Sequence, residues 1–223
     1  MEERKTVALK KEEFALKEMI KKGIGKGKIS NVRIDYTPVG EKIIISTAKP
    51  GLVIGRRGES IELLTKMIKE NFTLENPHIE IEEILEPNFD SQTIADEIAL
   101  GLERFGPLKF KVIAYRALQK IIASGALGVE LRLGGKLPGS RAKSWRFAQG
   151  YLKKAGDSAS VVDKAQARAE TKPGTVGVKV SILPPHAILK DRITIDDALI
   201  AKLKEKVEEP KKTTKKKKWN LKK

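Results

Sequence analysis

Gly55 and Gly58 enclose Arg56 and Arg57 in a chain of 223 residues. That arrangement suits one kind of chemistry. Glycines let a backbone approach a phosphate closely, a helix opening beside them offers unpaired N–H groups, and two guanidinium groups add positive charge. The spacing by itself says little, because the chain has 18 glycines and repeats the pattern at Gly125–Gly128 and Gly174–Gly177. Only the first copy follows Val53-Ile54, carries cations at both inner positions and opens a helical stretch. The other two read as a helix C-terminus and a hairpin turn.

Other reactive groups are scarce. The absence of cysteine excludes disulfides, thiolate zinc sites and a cysteine nucleophile. The two histidines, His78 and His186, lack metal-ligand spacing; one sits beside an acidic run and the other follows two prolines. Glu80 and Glu82 alternate with isoleucines, the pattern of a solvated strand face rather than a cation site. No Gly-x4-Gly-Lys-Ser/Thr is present, which excludes a P-loop nucleotidase. No catalytic residue, metal or cofactor is therefore expected.

The charge balance points to a polyanion. The net charge is +16, and it is segregated along the chain. From Lys211 to Lys223, eight of 13 residues are lysine, expected to form a tail that is disordered alone. Residues 71–103 hold nine carboxylates and no Lys or Arg, whereas 104–154 hold 12 cations against Glu130 alone. A surface segregated in this way faces nucleic acid more often than any other partner. The basic segments lack an amphipathic Trp/Phe/Leu face for a membrane. No apolar run reaches 18 residues and the N-terminus has no apolar leader, so a soluble, cytoplasmic protein is expected.

These groups need elements to position them. A helix is expected over Thr6–Lys22, with Phe14, Met19 and Ile20 among its apolar positions and Gly23 as its end. Val32, Ile34 and Tyr36, then Ile43 and Ile45 after a turn at Pro38–Glu41, have the period of strands. A helix with Ile61, Leu64 and Ile68 and a strand with Ile79 and Ile81 complete an α-β-β-α-β order ending near Pro87. Asp90 or Ser91 can cap the next helix, which carries Ile94, Ile98 and Leu102. After Gly106-Pro107, a second helix should bury Phe110, Ile113, Ala117, Leu118 and Ile121 and end at Gly125. Strands then follow at Val129–Leu133, at Trp145, Phe147 and Tyr151, and at Val176–Ile182. Ser160–Thr171 has helical composition but strand alternation, and the Pro173-Gly174 turn after it favours a strand. A short helix is expected over Asp196–Val207.

The segment Val53-Ile54-Gly55-Arg56-Arg57-Gly58-Glu59-Ser60-Ile61 resembles the signature of a KH domain, and the element order resembles its type II variant. Downstream, Ser124–Gly128, Gly135-Lys136-Leu137-Pro138-Gly139-Ser140-Arg141-Ala142-Lys143-Ser144 and Pro173–Val180 resemble the C-terminal domain of the third small-subunit ribosomal protein. The likeness runs in one order from about Glu12 to Pro185, and the Gly-Ser-Arg-Ala-Lys-Ser run looks archaeal or eukaryotic. It implies an α+β fold: a type II KH domain over 1–87, then a second α+β domain over 88–195 with two helices and a mainly antiparallel sheet. Residues 196–223 would be a short helix and basic tail.

The resemblance also implies a structural constituent of the small-subunit head. Its partners would be ribosomal RNA, messenger RNA and neighbouring head proteins, on cytoplasmic ribosomes. RNA would meet Gly55, Arg56, Arg57 and Gly58, and the cations Lys111, Arg116, Arg132, Lys136, Arg141, Lys143 and Arg146. Bacterial relatives place a basic cluster at the start of the helix near Pro107. This chain keeps Lys111 there, but Val112 and Tyr115 stand where cations are expected. Lys136, Arg141 and Lys143 lie on a glycine-rich loop without aromatics, suited to passing messenger of any sequence. Alternatives from other classes are a free-standing KH regulator of messenger and a lysine-dependent lyase acting on damaged DNA.

Overall fold

Leu16, Ile20 and Ile24 recur every four residues and are all buried, so the first element is an amphipathic helix, α1 (Glu2–Ile24). The chain is described by a computed structural model covering residues 2–37, 40–72, 77–189 and 200. Phe14 lies on the exposed side of α1 rather than in its apolar stripe. Gly23 does not end the helix. A Cβ there would stand 3.0 Å from Leu64 Cδ2, so Gly23 lies at a close helix contact. The helix ends where Gly25, at φ +94°, donates its N–H to the Lys21 carbonyl at 3.1 Å.

Strands β1 (Asn31–Thr37) and β2 (Gly40–Thr47) pair antiparallel, with Ile34 opposite Ile43. Strand β3 (His78–Glu83) joins β2 in parallel, with Ile81 opposite Ile45. Parallel neighbours need a crossover. Here it consists of a short helix α2 (Pro50–Ile54), a 3-10 turn at Arg56–Gly58 and the helix α3 (Glu59–Asn71). Val53 and Ile54, which the sequence reading leaves without an element, close α2, with Pro50 in its first turn, where the missing N–H costs nothing. Ile43, Ile45, Val53, Leu64 and Ile68 pack with the α1 stripe into one core.

The second half begins at α4 (Ser91–Phe105), capped by Asp90, whose Oδ2 accepts from the Thr93 N–H at 2.8 Å. Such a cap stabilises a helix by about 1 kcal/mol. Gly106, at φ +82°, and a 3-10 turn at Pro107–Lys109 lead into α5 (Phe110–Ala123). Its buried residues are Phe110, Ala114, Leu118 and Ile121. Ile113 and Ala117, expected inside, lie at the margin.

Four strands follow: β4 (Gly128–Gly135), β5 (Lys143–Gly150), β6 (Asp163–Thr171) and β7 (Gly174–Leu183). They form an antiparallel sheet in the order β5-β4-β7-β6. Phe147, Leu131, Val180 and Ala165 make one inward row; Trp145, Leu133, Val178 and Ala167 make the next. Both pack against α4 and α5 in a second core. Full burial of each large apolar side chain contributes roughly 1.5–3 kcal/mol. Tyr151, grouped with Trp145 and Phe147 by parity, falls just beyond β5 and is 53% exposed.

The described residues up to Ile188 group into one compact unit. Within it, Ser30 Oγ and Asp90 Oδ1 are 2.7 Å apart, and Lys26 meets Glu103 and Glu170 at 3.3 and 3.2 Å. Pro38 and Val39 of the expected turn, the expected 196–207 helix except Ile200, and the lysine tail lie outside the described residues. Among the described residues, no helix is long and apolar enough to cross a membrane.

Candidate nucleic-acid interface

The Gly-Arg-Arg-Gly loop joins two helices, and three of its four residues have positive φ. Gly55 sits at φ +76° and Gly58 at φ +83°, and between them Arg57 adopts φ +54°, ψ +22°. Among the described residues, Arg57 is the one non-glycine in the left-handed region. That conformation costs an L-residue roughly 1–2 kcal/mol. Gly55 is required sterically as well, because a Cβ would lie 2.2 Å from Ser60 Oγ. The arrangement exposes both guanidinium groups beside the start of α3, where no side chain caps the helix N–H groups. Neither arginine has an ion-pair partner among the described residues.

A second basic region forms at one end of the four-stranded sheet. The β4–β5 loop is pinned by Leu137, which is fully buried and whose N–H donates to the Gly135 carbonyl at 3.0 Å. Gly135 and Gly139 take φ values of +151° and +123° that side chains rarely adopt. Lys136, Arg141 and Lys143 are all exposed, and none has an ion-pair partner among the described residues. Lys111, at the start of α5, adds to this end. Its Nζ lies 4.9 Å from the centre of the Trp145 ring, a cation–π contact, and Lys143 precedes Trp145 by two positions on β5. Trp145 stacks at a tilt on Phe110, with centroids 5.3 Å apart. Val112 and Tyr115 are exposed here, Tyr115 edge-on to Phe147 at 5.1 Å, so this helix presents an apolar strip where the resemblance expects cations. Arg116 is exposed on α5.

Arg132 and Arg146 lie on the other, outward face of the sheet, paired in register across β4 and β5. Both reach Glu130, Arg132 Nε at 2.5 Å and Arg146 Nε at 3.1 Å, and Lys154 Nζ reaches it at 2.7 Å. Glu130 is only 5% exposed, although alternation along β4 places it on the outward face. Burial opposes its ionisation, but hydrogen bonds from Arg146, Lys154 and Arg132 outweigh that and lower its pKa to about 2.

The expected site residues thus occupy separate surfaces: the glycine loop, the sheet end with α5, and the outward sheet face. Lys154 and the carboxylate that holds it were not singled out by sequence reasoning. The signal available was strand parity on β4, but contacts spanning 16 and 24 residues leave no local mark. Elsewhere, Lys42 pairs with Glu80 at 2.8 Å and Ser46 with Glu82 at 3.2 Å, consistent with a solvated acidic face. Among the described residues, no group of three or more His, Cys, Asp or Glu could hold a metal ion.

Residues 15–89 match the family described as KH domain, and residues 98–182 match the family described as ribosomal protein S3, C-terminal domain. The small ribosomal subunit protein uS3 of Methanocaldococcus jannaschii is 41% identical over 193 residues, 86% of this chain and 91% of that protein. The protein of the same name from Methanosphaera stadtmanae is 38% identical over 175 residues, covering 78% and 69% of the two chains. That from Natronomonas pharaonis is 36% identical over 200 residues, 89% of this chain but 63% of the longer relative.

Proposed function

The chain belongs to the uS3 family of small ribosomal subunit proteins, and from that premise we propose that it holds ribosomal RNA in the subunit head and guides messenger where it enters. The family is structural, not enzymatic. Its N-terminal part is a KH domain, followed by an α+β part with an antiparallel sheet. We assign 1–87 to the first, 88–195 to the second, and 196–223 to a terminal helix and basic tail. The partners are small-subunit ribosomal RNA, messenger and neighbouring head proteins, on the cytoplasmic ribosome.

One observation carries the messenger reading. Lys136, Arg141 and Lys143 stand on a loop fixed by buried Leu137, unpaired among the described residues and with no aromatic in the loop itself. Base stacking on aromatics holds each base by roughly 1–3 kcal/mol, so a loop without them attracts phosphates while letting bases pass. The Gly55–Gly58 loop supplies the corresponding support for ribosomal RNA, with two exposed guanidinium groups that have no ion-pair partner among the described residues.

The test is a cross-linking map of RNA on assembled subunits. Peptides containing Arg56 and Arg57 should cross-link to ribosomal RNA, and those containing Arg141 and Lys143 to messenger. Ribosomal RNA alone at the second loop would remove the guiding role and leave an anchor.

A further inference from the structure

The outward face of the β5-β4-β7-β6 sheet carries a side-chain array larger than the pair of arginines expected there. Register sets Arg146 of β5, Arg132 of β4 and Lys179 of β7 side by side in one row. The next row holds Glu130 of β4, Ser181 of β7 and Lys164 of β6. The segment after β5 brings Lys154 over Glu130, and Leu152 helps close a basin of about 210 Å³. Helices α4 and α5 pack on the opposite face, against the inward rows.

Five cations thus surround one carboxylate. Arg132, Arg146 and Lys154 each spend part of their donor capacity on Glu130, yet each remains about half exposed. Two carboxylate oxygens cannot occupy the five N–H donors of even one guanidinium, so donors are left for a ligand. Lys164 and Lys179 have no ion-pair partner among the described residues. A purely stabilising ion pair needs one cation, and every further one adds repulsion. Excess positive charge on fixed strands is the arrangement of an anion site.

We propose that this face is a phosphate platform for the RNA backbone, with Glu130 as the positioning residue that holds three of its cations. The inference rests on the reading of the chain as an RNA-binding ribosomal protein and names a surface of it. Guanidinium forks match phosphate oxygens in pairs. An acidic protein segment fits less well, because protein interfaces have an apolar centre and Ala148, Gly134, Gly177 and Ser144 offer no such anchor.

The test uses the full chain and a labelled oligouridine, titrated at several salt concentrations. Lys164→Ala with Lys179→Ala removes two cations without exposing Glu130 to a lost partner. The slope of log K against log salt should become shallower by about 1.4, at about 0.7 for each single-strand phosphate released. Glu130→Gln removes a negative charge, yet it should weaken binding, because the three cations lose their common support. An unchanged slope, or tighter binding by Glu130→Gln, overturns the proposal. If Arg56→Ala with Arg57→Ala weakens binding while the lysine pair does not, the platform fails and the RNA reading stands. No oligouridine binding by the unaltered chain overturns both. Loss of polyglutamate binding with RNA binding intact assigns the face to an acidic protein and also overturns the proposal. Melting temperatures confirm that each variant is folded.

Discussion

Gly55 and Ser60 stand so close that a Cβ on the glycine would lie 2.2 Å from the serine hydroxyl and 3.2 Å from its backbone nitrogen. The shape of the loop between α2 and α3 therefore depends on Gly55 for space as well as for its φ of +76°. Gly55→Ala should destabilise the fold by roughly 1–3 kcal/mol, the usual cost of such strain, and weaken RNA binding with it. Adding Ser60→Ala should relieve only the hydroxyl contact, because the clash with the Cβ of residue 60 at 2.8 Å and the backbone cost both remain. Denaturant titration of the two variants measures both.

Arg57 gives the opposite prediction. Its φ of +54° is costly for an arginine and free for a glycine. Arg57→Gly should leave stability unchanged or raise it by up to ~1 kcal/mol, after the larger entropy of the unfolded glycine is offset. RNA affinity should fall nonetheless. Stability and binding that decline together would mean that Arg57 serves the fold.

Glu130 ties stability to acid. Its pKa in the folded chain is lowered to about 2 from an ordinary 4.5. Its contribution is therefore fully present above pH 4.5 and is lost as the pH falls from 4.5 toward 2. A shift of that size corresponds to about 2 kcal/mol once screening of the half-exposed cations is allowed for. Other carboxylates titrate in the same range, so the informative quantity is the difference between the unaltered chain and Glu130→Gln. That difference should shrink as the pH drops from 5 to about 2. A constant difference would show that the carboxylate is not held by its cations.

Arg141→Ala with Lys143→Ala separates guiding from anchoring. Both side chains are exposed and unpaired among the described residues, so the fold should not change. Subunits should assemble normally but translate structured messengers poorly, as scored in a reconstituted translation assay. Failed assembly without a messenger-specific defect would assign the loop to ribosomal RNA alone.

Much of this architecture was legible because periodicity records burial. The i, i+4 spacing of Ile94, Ile98 and Leu102 and the alternation of Val129, Leu131 and Leu133 appear as buried faces. Even Ser160–Thr171, helical in composition, forms strand β6 from Asp163, where alternation and the following turn prevail over propensity. What was hidden had no period to betray it. The helix α2 spans five residues, too few for a repeat. Gly23 reads as a terminator but serves a contact with Leu64 that only the packed helices create. The outward position of Glu130 followed from parity, but its burial depends on Arg146 and Lys154, which arrive from distant points in the chain. The glycine loop was found by context, while the basic residues beyond it were found as a segment and are divided by the sheet between two faces.

The most direct test of the central claim is sedimentation of the native protein from its own lysate through a sucrose gradient. A ribosomal protein held by charge and shape should travel with small subunits and remain with them at moderate salt. A chain found mainly at the top of the gradient, or bound to messenger free of subunits, would contradict a constitutive ribosomal role.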